Sequence, residues 1–86
     1  MGFPEKVQND LRNLMVDSGM TIRGLAKRIS VLSRRKTSYN AVYQWLNGIA
    51  SPTPSRFKAL VKILEAPDSF LEEARKYVGV LGKRRS

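Results

Sequence analysis

The chain contains no cysteine and no histidine among its 86 residues. Without cysteine it has no disulfide framework and no thiolate that could bind a metal or act as a nucleophile. Without histidine it lacks the commonest general base and metal ligand. We therefore expect no metal site and no cofactor. The catalytic groups that remain are the carboxylates of Asp and Glu, and these fit surface and helix-cap positions. An enzyme is therefore the least favoured class of function.

Long apolar runs are also missing, so the sequence predicts no membrane-spanning helix, and no signal peptide is visible. We expect no myristoylation, because Lys6 stands where that signal requires a Ser or Thr. We therefore expect a cytoplasmic protein. The length fits one small domain, which we place at residues 1–79. Residues 80–86 are predicted to form a basic tail, of which residues 82–86 are expected to be disordered and to add non-specific affinity for nucleic acid.

Acidic side chains are absent from the middle of the chain. The sequence has 16 Lys and Arg against 7 Asp and Glu, a formal net charge of +9, yet no acid lies between Ser18 and Leu64. A solvated surface normally mixes both signs, so this segment indicates a polyanionic partner, with nucleic acid the best fit. An anionic membrane surface is the weaker alternative, because no segment joins a large apolar face to this charge. The nine cations of the segment are Arg23, Lys27, Arg28, Arg34, Arg35, Lys36, Arg56, Lys58 and Lys62.

Apolar residues recur at helical spacing in five segments, which predicts an all-α bundle of about five helices. Thr21 and Ser38 are placed to cap the second and third helices, and Gly19 and Gly48 to end the first and third. The second helix is expected to run to about Leu32 or Ser33. The predicted buried stripes are Val7, Leu11, Leu14 and Met15; Ile22, Leu25, Ala26, Ile29 and Leu32; Val42, Trp45 and Leu46; Phe57, Leu60, Val61 and Leu64; and Phe70, Leu71, Ala74, Tyr77 and Val78.

Proline marks the start of three of these helices. Phe3-Pro4 opens the first, with Pro4 expected in its first turn, and Thr53-Pro54 caps and starts the fourth. Pro67-Asp68 starts the fifth, where Ser69-x-x-Glu72 fits a capping box. These signals predict short connections and a compact helical domain.

The third predicted helix, Ser38 to Gly48, has an unusual outer face. Tyr39, Asn40, Tyr43 and Gln44 leave that face uncharged and rich in amide and phenol groups. An amide can pair bidentately with an adenine edge, so the helix is predicted to enter the major groove and contact bases. The alternative is an ordinary surface helix. The two tyrosines have their own alternative, packing against the neighbouring helix.

Cations that surround this helix are predicted to contact the DNA backbone. Ser33 to Thr37 forms a basic turn directly before it, and the alternative for Arg34 or Arg35 is entry into a groove. Because these adjacent cations have no nearby acid and a polar turn buries little surface, we expect the turn to be mobile until DNA orders it. The alternative for cations on the second helix is a solubilising face. The expected backbone contacts are Arg23, Lys27, Arg28, Arg34, Arg35, Lys36, Ser38, Asn47, Arg56 and Lys58.

Short motifs follow one another in a fixed order over about residues 7–75. They are Leu25-Ala26, the Ser38 cap, Val42, Trp45-Leu46-Asn47-Gly48, Ile49-Ala50, and Leu60-Val61-Lys62-Ile63-Leu64-Glu65. Their order and spacing resemble the helix-turn-helix domain of the lambda-type phage repressor and Cro family. The resemblance implies that Tyr39, Asn40 and Gln44 lie at base-reading positions and that Asn47 meets a phosphate.

This chain departs from that family between its second and third helices. The usual turn has about four residues, whereas roughly six extra residues, around Ser30 to Arg35, separate the matching positions here. A longer second helix together with the basic turn would absorb them. The family often dimerises through its last helix, which implies a possible homodimer through Phe70, Leu71, Ala74, Tyr77 and Val78, with packing inside one chain as the alternative.

Three classes of function follow from the sequence. The first is a sequence-specific repressor of the phage Cro or immunity type that binds double-stranded DNA. The second is the DNA-binding antitoxin of a toxin–antitoxin pair, for which no additional partner-binding segment is evident. The third is a basic RNA-binding or architectural protein, which aromatic side chains stacked on single strands would favour. No membrane and no small-molecule substrate are expected as partners.

Overall fold

The part of the chain that the structure describes consists of five α-helices joined by short turns. The computed structural model describes residues 2–78, so Gly79 and the predicted tail at 80–86 lie outside the described residues. Helices α1 to α5 span Glu5–Asp17, Ile22–Ser33, Tyr39–Leu46, Pro54–Leu64 and Asp68–Ala74. One turn of 3₁₀ helix, Arg75–Tyr77, follows α5. Residues 2–78 contain no strand, and the prediction of an all-α bundle is confirmed.

The helices surround one apolar core. Helix α2 packs against α3 and α4, and α1 packs against α3 and α5. Most of the predicted stripe residues are buried, whereas Leu14, Ile22, Val61, Leu71, Tyr77 and Val78 lie half-buried at the edge of the core. Two core residues were not predicted: Ala59, and Phe3, which is 2% exposed because the segment before α1 folds back onto the bundle. The Gln8 side chain holds this segment by donating a hydrogen bond to the Phe3 carbonyl at 2.8 Å.

The caps on either side of α2 and α3 agree with the sequence. The Thr21 hydroxyl accepts the backbone N–H of Gly24 at 3.0 Å, and the Ser38 hydroxyl accepts that of Ala41 at 3.1 Å. Each bond satisfies a donor that the first helical turn leaves unpaired. Gly48 ends the turn after α3 with φ at +72°, and the Gln8 side chain fills the space that a Cβ would need.

Three details of the predicted helix starts are wrong. The Ser69 capping box does not form, because Pro67 in extended conformation is the N-cap residue and Ser69 is already the second helical residue of α5. Thr53 occupies the N-cap position of α4, but its hydroxyl accepts no backbone N–H there. Pro4 is the N-cap residue of α1 and lies just before its first turn.

Helix α2 reaches Ser33, as expected, but Leu32 does not extend its buried stripe. Its side chain is 45% exposed. The chain leaves α2 at Arg34, in left-handed conformation, and folds over the side of the helix that carries Ser30. Two residues turn about 200° around a helix, so Leu32 lies on nearly the opposite side from Ser30, where the returning chain does not cover it.

Candidate nucleic-acid interface

Helix α3 is the centre of the candidate interface and is fixed at both ends. Its inner side chains Val42, Trp45 and Leu46 are buried in the core. At its C-terminus the Arg12 guanidinium donates a hydrogen bond to the Leu46 carbonyl at 2.8 Å. A cation at that position also interacts favourably with the negative end of the helix dipole. The helix is therefore held as a rigid element with one face outward.

The outer face of α3 carries the side chains that the sequence singled out. Tyr39, Asn40, Tyr43 and Asn47 are exposed, and Gln44 is half-buried. By helical spacing these five residues fill an arc of about 140°, with the tyrosines along one edge and Asn40 and Gln44 along the other. The Asn47 amide group donates to the Tyr43 carbonyl at 2.8 Å, which leaves its side-chain oxygen free to accept. The face is uncharged, as the sequence indicated.

The two tyrosines stack on each other and do not pack beneath a neighbouring helix. Their ring centroids lie 6.5 Å apart with an interplanar angle of 13°. Tyr39 is 48% exposed and Tyr43 is 45% exposed. The Arg23 guanidinium of α2 lies over the Tyr39 ring, 5.9 Å from its centroid, in cation–π geometry. Arg23, Tyr39 and Tyr43 thus form a continuous exposed row, which we call the tyrosine row.

The basic turn between α2 and α3 is held from below by polar contacts. The Thr37 backbone N–H donates to the Ser30 hydroxyl at 2.8 Å, and the Thr37 hydroxyl donates to the Arg35 carbonyl at 3.0 Å. The Arg35 backbone N–H donates to the Ser33 hydroxyl at 3.2 Å. Thr37 itself is 6% exposed. The sequence showed no acid near the cations of this turn, and the structure holds the turn instead through hydroxyl and backbone groups.

Arg56, from the first turn of α4, completes this arrangement. Its Nε donates to the Thr37 hydroxyl at 2.9 Å, and its Nη2 donates to the Lys36 carbonyl at 3.0 Å. We call Ser30, Thr37 and Arg56 the clasp. Arg56 was predicted to contact the DNA backbone, but its Nε and Nη2 groups already donate hydrogen bonds to the turn. Its role there is to fix the start of α3 relative to α2 and α4.

Sequence reasoning missed the clasp for a physical reason. Ser30 gave a weak signal, since a hydroxyl close to the buried stripe of α2 needs a hydrogen-bond partner. Thr37 gave no signal of a buried contact, because a threonine beside three cations is typical of an exposed turn. The pairing of Thr37 with Arg56 joins positions 19 residues apart in sequence, which no local pattern reveals.

The cations of the acid-free segment are exposed, except for Arg56, which is half-buried. Within residues 2–78 the ion pairs are Lys6–Asp10 at 3.3 Å and Glu73–Lys76 at 3.8 Å, and both lie outside the segment. The side chains of Arg34, Arg35 and Lys36 point outward from the turn into solvent. Within the described residues, a positive surface whose cations form no ion pairs therefore lies around the start of α3.

The predicted backbone-contact residues do not all lie beside α3. Helical spacing places Lys27 on the side of α2 that carries Arg23 and Ser30, whereas Arg28 lies well away from that side. Lys58 lies on a different side of α4 from the clasp. It lines an apolar groove of about 320 Å³ between α4 and the end of the described chain, together with Phe57, Val61, Leu71 and Val78.

Comparisons of this chain with protein-family models, with curated proteins and with solved structures find no match. Within residues 2–78, no helix has the length and apolar character needed to cross a membrane. The same residues contain no group of three or more acidic, cysteine or histidine side chains placed to share a metal ion.

Proposed function

We propose that this protein is a sequence-specific regulator of transcription that binds double-stranded DNA, with α3 inserted in the major groove. The observation that carries the proposal is the combination at α3 of an uncharged, hydrogen-bonding outer face with a surrounding surface of unpaired cations. Cations that contact phosphates position a protein on the duplex, and amide groups read base edges. In this proposal α2, the basic turn and α3 act as a helix-turn-helix unit like that of phage Cro and immunity repressors.

The assignment of contacts within the proposal follows the geometry. Tyr39, Asn40, Tyr43 and Gln44 contact bases, and Arg23, Lys27, Arg34, Arg35 and Lys36 contact phosphates on either side. Ser38 and Asn47 contribute at the two ends of α3. Arg56 acts by holding the turn. The proposal needs no catalytic group, and it places the protein in the cytoplasm, where it meets DNA.

A homodimer is part of the same proposal. The core takes up Phe70 and Ala74, whereas Leu71, Tyr77 and Val78 remain half-buried and leave an apolar edge beside the α4 groove. Two-fold symmetry would pair two copies of α3 with a palindromic site. Light scattering at micromolar concentration tests this part, with twice the chain mass as the expected result and the single-chain mass as the contradicting one.

The exposed tyrosine row also supports a second candidate, a protein that binds single-stranded nucleic acid by stacking bases on aromatic rings. A competition assay distinguishes a duplex-binding protein from a single-strand-binding one. A duplex-binding protein releases a labelled duplex only to excess duplex, whereas a single-strand binder releases its ligand to unpaired DNA or RNA of the same length.

The experiment that tests the main proposal is selection from a randomised duplex library, followed by affinity measurements on the enriched site and on a scrambled duplex. We expect the enriched site to bind about 10³-fold or more tightly than the scrambled one at physiological salt. Equal affinities would overturn sequence-specific regulation and leave a non-specific nucleic-acid-binding protein.

A further inference from the structure

The outer face of α3 differs at its two edges, and this difference determines which base pairs it can read. Along one edge lie the stacked rings of Tyr39 and Tyr43, each nearly half exposed. Along the other edge lie the amides of Asn40 and Gln44. Charged groups, which pair bidentately with guanine or accept from cytosine, are absent from this face.

From this geometry we propose that α3 selects A·T base pairs, with its amide edge reading adenine and its tyrosine edge covering the C5-methyl groups of thymine. The inference rests on the proposed function and deepens it. Adenine presents an N7 acceptor and an N6 donor in the major groove, which is the pattern that a carboxamide complements. Thymine presents a methyl group there, which gains most from an apolar partner.

The tyrosine row is suited to the methyl group because its rings are already in place. Tyr43 stacks on Tyr39, and Arg23 lies over the Tyr39 ring. Since these contacts restrict the rings before binding, less side-chain freedom is lost when a methyl group packs against them. The adjacent guanidinium is free to reach the phosphate beside that base. The row therefore joins one backbone contact to one apolar base contact.

Removal of a single methyl group tests the inference directly. Replacement of thymine by deoxyuracil in the enriched duplex deletes the C5-methyl and preserves every hydrogen-bonding group. We expect about a four-fold loss of affinity for each thymine that the tyrosine row covers, the value for one buried methylene-sized group. Replacement of adenine by 7-deaza-adenine, which lacks the N7 acceptor, should weaken binding at the adenines that Asn40 and Gln44 read.

Protein variants connect each effect to its side chain. In Tyr43→Ala the deoxyuracil and thymine duplexes should bind equally, whereas Val31→Ala should keep the four-fold difference. Val31 is a matched control because it is an apolar side chain, 76% exposed, on the neighbouring helix. Circular dichroism is used to check that each variant is folded. The deoxyuracil series on the unaltered protein does not depend on any variant.

Failure of the inference and failure of the proposed function give different results. An enriched site that is G·C-rich under α3, or one whose thymines all tolerate deoxyuracil, would overturn the inference and leave sequence-specific binding intact. Absence of any enriched site would overturn both. A methyl effect that persists in Tyr43→Ala would overturn the assignment to Tyr43, and one that also persists in Tyr39→Ala would overturn the assignment to the tyrosine row.

Discussion

Asn40 and Gln44 are the residues on which sequence discrimination depends in this account. Both lie on the outward arc of α3, and Asn40 is exposed. Neither side chain forms a hydrogen bond within residues 2–78 that would occupy its amide. Each amide is therefore free to pair with a base edge, and its removal should affect the cognate site far more than random DNA.

We predict that Asn40→Ala and Gln44→Ala each lose about 1–3 kcal/mol of binding free energy on the enriched site only. Affinity for scrambled duplex should remain, because the phosphate contacts remain. Fluorescence anisotropy on both duplexes measures the difference. Asn9→Ala and Asn13→Ala, which remove exposed amides from α1, serve as controls. Equal losses on both duplexes would mean that the α3 amides position the protein and do not read bases.

Substitution of Trp45, on the buried side of α3, tests the orientation of this helix. Its side chain is 3% exposed in the core, on the opposite side of the helix from Asn40 and Tyr43. We predict that Trp45→Ala lowers the free energy of unfolding by about 3–5 kcal/mol, a large fraction of the total for a small domain. Thermal or urea unfolding followed by circular dichroism measures the change. Unchanged stability would place Trp45 on the surface and invert the proposed reading face.

At the scale of elements, the backbone and the side chains of the basic turn have different roles. Its backbone carbonyls at Arg35 and Lys36 accept hydrogen bonds from the clasp, whereas the side chains of Arg34, Arg35 and Lys36 are exposed. The backbone contacts orient α3, and the side chains are free for phosphates. Substitution of the side chains should therefore change DNA binding without changing the fold.

We predict that replacement of Arg34, Arg35 and Lys36 together by Ser weakens DNA binding and reduces the log–log salt slope by up to about three, one per lost phosphate contact. Its free energy of unfolding should stay within about 0.5 kcal/mol of wild type. Arg56→Ala should instead lower the free energy of unfolding by about 1–3 kcal/mol, because the clasp loses its charged donor.

Lys58→Ala is the matched control for Arg56→Ala, since it removes a cation from α4 without touching the clasp. Unfolding in urea and salt-dependent anisotropy are measured on all three variants. A triple-Ser variant with wild-type affinity and slope would make the turn a solubilising insertion. Its loss of fold would mean that the three side chains themselves support the angle between α2 and α3.

Local signals predicted the elements well and the contacts between them poorly. Thr21, Ser38, Gly19 and Gly48 were identified from sequence because capping and left-handed backbone depend on neighbouring residues only. Ser69 gave a wrong prediction for the same reason, because the capping-box pattern begins two positions after Pro67, the actual N-cap residue of α5.

Longer-range contacts left no comparable local pattern. Phe3 joins the core through a segment that folds back before α1, and Thr37 contacts Arg56 in the first turn of α4. The outer face of α3 could be read from helical periodicity. The stacking of Tyr39 on Tyr43 could not, because either ring could equally have packed against a neighbouring helix.

At the scale of the whole molecule, charge is divided between two regions. All seven acids lie before Ser18 or after Leu64, on α1 and near α5, while the segment between them carries nine cations. The fold gathers several of these cations around the start of α3, where the turn, α2 and the first turn of α4 meet. Such an arrangement favours an oriented approach to a polyanion, with α3 leading.

The measurement that tests this account most directly is the affinity of the protein for duplex DNA as a function of salt, from low to physiological ionic strength. Neutralisation of about five to seven phosphates predicts a log–log slope of about −4 to −6, because each neutralised phosphate releases a condensed counterion. Fluorescence anisotropy with a labelled duplex supplies the slope. A slope near zero, or no binding at low salt, would contradict the claim that the acid-free surface around α3 binds DNA.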